Sequence, residues 1–337
     1  MMRFSWKTAV LAGVALTFTA GEVVADTTWN ASLWGKRRAF TEHMEKLSEL
    51  VAEKSGGKFQ IKLHYGEAIS KNRENLDGIS IGAFEMAQIC AGYHADKNPT
   101  ITVLELPFLG VDTLEQEIKV SNAVYAHPAA KKDLARWNAM LLMPSPMPQY
   151  NLAGTGDAPK TLADFDGMRV RATGGIGQAF QKVGAVPTSV TASEAYNALE
   201  SGVVDSVAFA PHAHLAFRTV DIVKWWTTNL NPGTVNCPIV ANIDSYEALS
   251  DEEKEILMSS IPASLDHYLA AYDGVYEKWG PVLEKNGIEK IKFAKSEIDE
   301  FRKIAAVPGR DAWIKSMADQ GIPGQDLYDL VEKTLSE

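Results

Sequence analysis

The run Met168-Arg169-Val170-Arg171-Ala172 carries the residues best placed to do chemistry. Alternation along a strand sends Arg169 and Arg171 to one face and Met168, Val170 and Ala172 to the other. Gly174 and Gly175 follow after Thr173 and predict a turn. An arginine at the carboxyl end of a strand can point into a cleft and hold a carboxylate through two parallel hydrogen bonds. That chemistry is recognition rather than turnover.

Catalytic and cofactor patterns do not accompany it. Gly174-Gly175-Ile176-Gly177 looks like a nucleotide loop, but a G-x-G-x-x-G begun at Gly175 would need glycine where Phe180 stands. There is no G-x-x-x-x-G-K-[ST] and no G-x-S-x-G elbow. His212 and His214, two apart, would share one side of an extended segment. Without H-E-x-x-H or C-x-x-C they read as a solvated or ligand-facing pair rather than metal ligands. No catalytic residue, metal or cofactor is expected.

The elements that must position Arg171 are legible from periodicity. Residues 27–34 alternate as a strand. Phe40, Met44, Leu47 and Val51 recur as one face of a helix, ended by Ser55-Gly56-Gly57. A strand at 59–64, a helix at 73–81 and a strand at 84–90 complete a β-α-β-α-β order, which requires parallel strands and right-handed crossovers. Three prolines at alternate positions, Pro144, Pro146 and Pro148, predict an extended crossover. A second α/β pattern follows: strand 168–172, helix 177–183, strand 187–190, helix 193–201 and strand 203–209. The strand at 237–243 should return the chain to the first unit. The helical stretch 251–285 should be kinked or split at Pro262.

Two α/β lobes joined by several crossings imply a cleft, and ligands in open α/β sheets sit beyond the carboxyl ends of strands. The positions to watch are 34–36, 64–67, 91–93, 171–175 and 209–214. Candidate ligand contacts are Arg171, Phe209, Trp34, Glu67, Tyr93, Tyr150, Gly174, His212, Trp225 and Asn236. The aromatic members would line a pocket around one arginine.

Composition narrows the function classes. The chain has 337 residues, 46% of them hydrophobic, and a net charge of −10, so it has material for two domains with real cores. An acidic chain without a basic run is a poor match to nucleic acid or anionic lipid. Arg3 and Lys7 precede an apolar run at 8–20, and residues 21–25 end in a small-residue cleavage site after Ala25. Residues 1–25 therefore read as a signal peptide, and the mature chain as a soluble periplasmic protein without stable membrane insertion. Export permits a bridge between Cys90 and Cys237. The residues alone leave it open, and two buried thiols are the simpler expectation.

Residues 161–209 then resemble one family, the solute-binding proteins of TRAP (tripartite ATP-independent periplasmic) transporters. The family pattern L-x-D-x-x-G-[LM]-[KR]-[IV]-R is met by Leu162, Asp164, Gly167, Met168, Arg169, Val170 and Arg171. G-A-x-P is met by Gly184-Ala185-Val186-Pro187. S-E-x-Y-x-A-L-x-x-G-[VA]-[VI]-D is met by Ser193, Glu194, Tyr196, Ala198, Leu199, Gly202, Val203, Val204 and Asp205. ELPFL at 105–109 and GISIGAFEMAQ at 78–88 also look like family segments.

The resemblance implies an α/β two-domain periplasmic binding fold with a cleft between lobes and a long bracing helix. Lobe I would comprise 26–148 with about 238–280, and lobe II 149–237 with about 281–337. It implies hinge closure on a small organic acid anion, a carboxylate contact at Arg171, and delivery to TRAP membrane subunits. The pattern departs from many dicarboxylate and sialic acid receptors in reading Gln149-Tyr150-Asn151 where they carry a further arginine. A single anchor favours a monocarboxylate, with an aromatic acid or a betaine-like or sulfonium zwitterion suited to the aromatic residues. Ala208 cannot ligate a metal, so no cation site is carried over. A periplasmic enzyme using the cleft and a receptor feeding a signalling partner are the other classes.

Overall fold

The computed structural model describes residues 26–337; the predicted signal peptide lies outside them. In chain order the strands are β1 Thr27–Leu33, β2 Phe59–Tyr65, β3 Met86–Gln88, β4 Ala139–Met143, β5 Asn151–Gly154, β6 Arg169–Arg171, β7 Val186–Thr188, β8 Ser206–Phe209, β9 Trp225–Thr227, β10 Ile239–Asn242 and β11 Glu289–Ile291. They form two sheets, ordered β2-β1-β3-β10-β4 and β11-β9-β5-β8-β6-β7.

The first sheet follows from the β-α-β-α-β pattern. Trp29, Ala31 and Leu33 of β1 are buried on one face, and the helix Glu42–Lys54 lays Met44, Leu47 and Val51 against them. β1 is parallel to both β2 and β3, as crossover connections require. β10 then enters antiparallel between β3 and β4. In the second sheet, β6 is parallel to β7 and β8, while β5 is antiparallel to β8 and β9.

The chain passes between the sheets three times, at residues 144–150, at 228–238 and through the helix Asp251–Lys285. The proline run is extended as its composition predicts. The helix is one continuous element of 35 residues, about 50 Å long, and is not split at Pro262. Pro262 and Pro281 both lie on its exposed side, where water can satisfy the carbonyls that lose a donor. Its first half packs Leu257 into the core under the first sheet. Its second half packs Tyr268, Tyr272, Trp279 and Leu283 against the second.

Other boundaries differ from the sequence pattern. The helix expected at 177–183 begins earlier, as Gly174–Gln181. The helix expected at 193–201 is Ala195–Glu200, preceded by a turn that Thr191 caps with Glu194. The last helix, Gly324–Ser336, packs Leu327 and Val331 against Val120 and Val124 of the helix Leu114–Ala126. It thus sits on the segment assigned to lobe I, although a lobe II position was expected for residues beyond 281.

Cys90 and Cys237 form a disulfide, which replaces the expectation of two buried thiols. The pairing is a consequence of topology: β10 runs beside β3, and Ile89 N–H donates to Pro238 O at 3.1 Å while Ala91 N–H donates to Asn236 O at 2.8 Å. That ladder places positions 90 and 237 opposite each other, although 147 residues separate them.

Candidate functional site

The carboxyl ends of β1, β3, β6 and β8 converge on a cavity between the two sheets. Trp34 follows β1 directly, and Arg38 and Phe40 stand in the turn beyond it. Tyr93 follows β3. Arg171 ends β6, and Phe209 ends β8. The space enclosed is about 20 Å³, room for about one water.

Arg171 is 2% exposed. Its Nε donates to Val190 O at 2.9 Å, Nη1 to Ala208 O at 3.4 Å, and Nη2 to Tyr93 Oη at 3.0 Å. Its guanidinium carbon stands 4.6 Å from the centre of the Phe209 ring. A guanidinium has five N–H donors, so one N–H on each Nη remains unspent, the pair that grips a carboxylate. Tyr93 Oη accepts from Arg171 and from Ala192 N–H at 2.9 Å, which leaves its own proton free to donate. Arg169, the other arginine of the strand, is exposed. It pairs with Asp205 through Nη2 at 2.5 Å and takes no part in the cavity.

Six of the sequence candidates meet here: Arg171, Phe209, Trp34, Tyr93, Tyr150 and His212 all line the cavity. Gly174 and Asn236 stand one layer back, both against Glu105. Gly174 has φ 54°, and any Cβ there would overlap the Glu105 carboxylate. Asn236 spends its side chain on Tyr125 Oη at 2.9 Å and Ser121 Oγ at 3.3 Å, while its N–H donates to Glu105. Glu67 and Trp225 lie elsewhere. Glu67 accepts from Asn72 N–H at 3.1 Å in its own loop. Trp225 is buried beside Gly154 and donates to Gly156 O at 3.1 Å.

His212 and His214 are neither extended nor solvated. They lie on the short helix Pro211–Ala216, where two residues apart means nearly opposite sides. His212 stacks on Phe40 across the cavity, and burial holds it well below the usual imidazole range, hence neutral. His214 bonds Thr219 Oγ1 at 2.8 Å and stacks on Trp279. Among the described residues no group of three or more His, Cys, Asp or Glu is placed to hold a metal ion.

The residues missed from sequence are Arg38, Phe40, Glu105, Phe217 and the cystine. Arg38 lies two residues beyond the strand-end window 34–36, and Phe40 was counted only as helix core. Glu105 opens the ELPFL segment, whose type gave no hint of a site. Its Oε1 accepts from Gly92 N–H at 3.1 Å and Asn236 N–H at 3.0 Å. Its Oε2 is buried and without a partner among the described residues. Burial pushes its pKa up to about 7, against the pull of those two N–H groups.

A wider groove of about 740 Å³ runs outside this cavity, along residues 111–115 and the helix face carrying Asp273, Tyr276 and Trp279. It contains no guanidinium, and an anion would meet the carboxylates of Asp112, Glu115 and Asp273 there.

The model of one protein family, the bacterial extracellular solute-binding proteins of family 7, matches residues 31–315. The ectoine-binding periplasmic protein TeaA of Halomonas elongata is 24% identical over 280 residues, 79% of this chain and 77% of its own. A TRAP solute-binding protein from an unidentified marine microbe, solved with metahydroxyphenylacetate, superposes with a TM-score of 0.82 at 21% identity, covering 92% of this chain and 98% of that one. DctP7 of Bordetella pertussis, a receptor binding pyroglutamic acid, gives 0.80 at 22% identity over 91% and 99%.

Proposed function

Because the chain belongs to family 7 of the bacterial extracellular solute-binding proteins, the family of TRAP receptors that its central motif resembles, we propose that it captures a small organic acid anion in the periplasm by its carboxylate and delivers it to a TRAP permease. The observation that carries this reading is the unspent N–H pair of Arg171 beside the free Tyr93 hydroxyl, in a cavity that both lobes wall. Recognition requires no bond to be made or broken. Among the described residues no helix is long and apolar enough to cross a membrane, so delivery would depend on a partner that does.

The geometry favours an acid over a betaine-like or sulfonium cation. A cation held by aromatic rings needs free ring faces. Here Arg38 already stands 5.1, 4.7 and 5.0 Å from the ring centres of Trp34, Phe40 and Phe217, and Arg171 covers Phe209. A third cation would face two guanidiniums. One observation supports a zwitterion instead: the free Oε2 of Glu105 could accept an ammonium, and TeaA is named for a zwitterionic ligand.

A thermal-shift screen of the mature protein against carboxylic acids, zwitterions and sugars tests the reading. A micromolar ligand at millimolar concentration stabilises by about 4 kcal/mol, a clear rise in melting temperature. Acids are expected to be the hits. Hits confined to betaines or neutral sugars would overturn it.

Glu105 adds a pH dependence. Its carboxyl is held up to about 7, with buried Glu117 and Tyr125 behind it also pushed upward. An anion bound nearby favours protonated Glu105, so binding takes up a proton and affinity falls as pH rises through about 7. Between pH 6 and 8 the loss is expected to be on the order of tenfold, one pKa unit of coupling. Calorimetric titration at both pH values should show it, and Glu105→Gln should flatten it. An equal slope in that variant would exclude Glu105 as the source.

A further inference from the structure

We propose that Arg38 is a second ligand anchor, and that the ligand is therefore an organic acid carrying a second oxygen acceptor, a further carboxylate or a carbonyl, rather than a simple monocarboxylate. This rests on the carboxylate reading of Arg171 and deepens it.

Arg38 spends Nη1 on Lys36 O at 2.8 Å. Its Nε and Nη2 are shielded from solvent and have no partner among the described residues. The indole Nε1 of Trp34, in the same wall, is likewise buried and unpartnered. Three buried nitrogens whose N–H groups have no acceptor are a standing cost, because each has lost water and gained nothing. An acceptor group on the ligand removes that cost. Burial also draws the Arg38 pKa down to about 10, which still leaves it charged at neutral pH.

The guanidinium occupies a built seat. Trp34 and Phe40 come from the first lobe and Phe217 from the second, and all three rings surround it. Gly35 lies beneath it, and a Cβ there would overlap Arg38 Nη1. Glycine at 35 is thus the condition for the guanidinium to lie where it does. With His212 neutral, the cavity sets two cations against the single carboxylate of Glu105. A ligand that brings acceptors to both guanidiniums satisfies both.

The test is isothermal titration with matched acids, succinate against butyrate and 2-oxobutyrate against butyrate, on wild type, Arg38→Met, Gly35→Ala and Arg171→Met. Wild type is expected to prefer the two-acceptor member of at least one pair. Arg38→Met should weaken that member by roughly 10–100-fold, the span of a charge-assisted bond, and change butyrate by less than about threefold on the same scale. Gly35→Ala keeps the charge but displaces it, and should reproduce the selective loss. Melting curves confirm that each variant is folded, and Gly35→Ala decides if Arg38→Met is not. Acids that bind through Arg171 but ignore both changes at 35 and 38 would overturn the second anchor while leaving the first. Equal loss of both members of a pair would overturn it too. Failure of every acid in wild type would overturn the carboxylate reading beneath it.

Discussion

Arg171→Ala is expected to lower ligand affinity by at least about 30-fold, because truncating one partner of a desolvated charge pair costs roughly 2–5 kcal/mol. The loss arises in two ways. The two outward N–H groups no longer meet the ligand carboxylate. The lobe contact through Tyr93 Oη is also weakened, since Arg171 Nη2 and Ala192 N–H hold that hydroxyl jointly and only the second donor remains. Arg171→Lys separates the two effects from charge. It keeps a cation but not the planar fork, so most of the loss should remain. Titration calorimetry reads the affinity, with the melting curve as the control for folding, because Arg171 also bonds the carbonyls of Val190 and Ala208. Affinity in Arg171→Ala equal to wild type would remove the anchor assignment.

The second large effect concerns stability. The double substitution Cys90→Ser, Cys237→Ser is expected to destabilise the protein by about 2–5 kcal/mol, since the bridge closes a very long loop of chain and such loops lose the most entropy when tied. For a domain pair of this size that is a fall of about 3–8 °C in melting temperature. Calorimetry of the oxidised protein, the reduced protein and the double variant checks it. Reduction should bring wild type to the variant's value, and identical melting in all three would mean that the bridge contributes no stability. The cystine also lines the cavity beside Glu105 and Arg38.

Much of this protein follows from residues close together in the chain. The β-α-β-α-β order of the first sheet, the extended proline crossover, the return strand β10 and the long helix are all written as periodicity and punctuation. These patterns act through nearest neighbours on one face, so a reader needs no partner strand to see them. Arg171 was legible for the same reason: position in a strand fixes its face, and the glycines after it mark the strand end. The motif around it carried the family as well.

What tertiary structure alone decided is which strand ends meet. Trp34, Arg38, Tyr93, Glu105, Arg171 and Phe209 come from separate connections in both sheets, and their convergence depends on how three crossings fold one lobe onto the other. Trp225 was as aromatic as Trp34, yet the antiparallel entry of β9 beside β5 turns it toward Gly154 and away from the cavity. Cys90 and Cys237 meet because β10 enters next to β3, a pairing that nothing local encodes. His212 and His214 exchanged an expected shared face for opposite ones when their segment became helical. Arg38 is the sharpest case. In sequence it is one of several charged residues in an exposed-looking turn; in the fold Phe217 of the other lobe lies over it, and its Nε and Nη2 are shielded from water. Burial is a property of the assembled lobes, and burial is what turns that arginine from a surface charge into a donor in need of an acceptor.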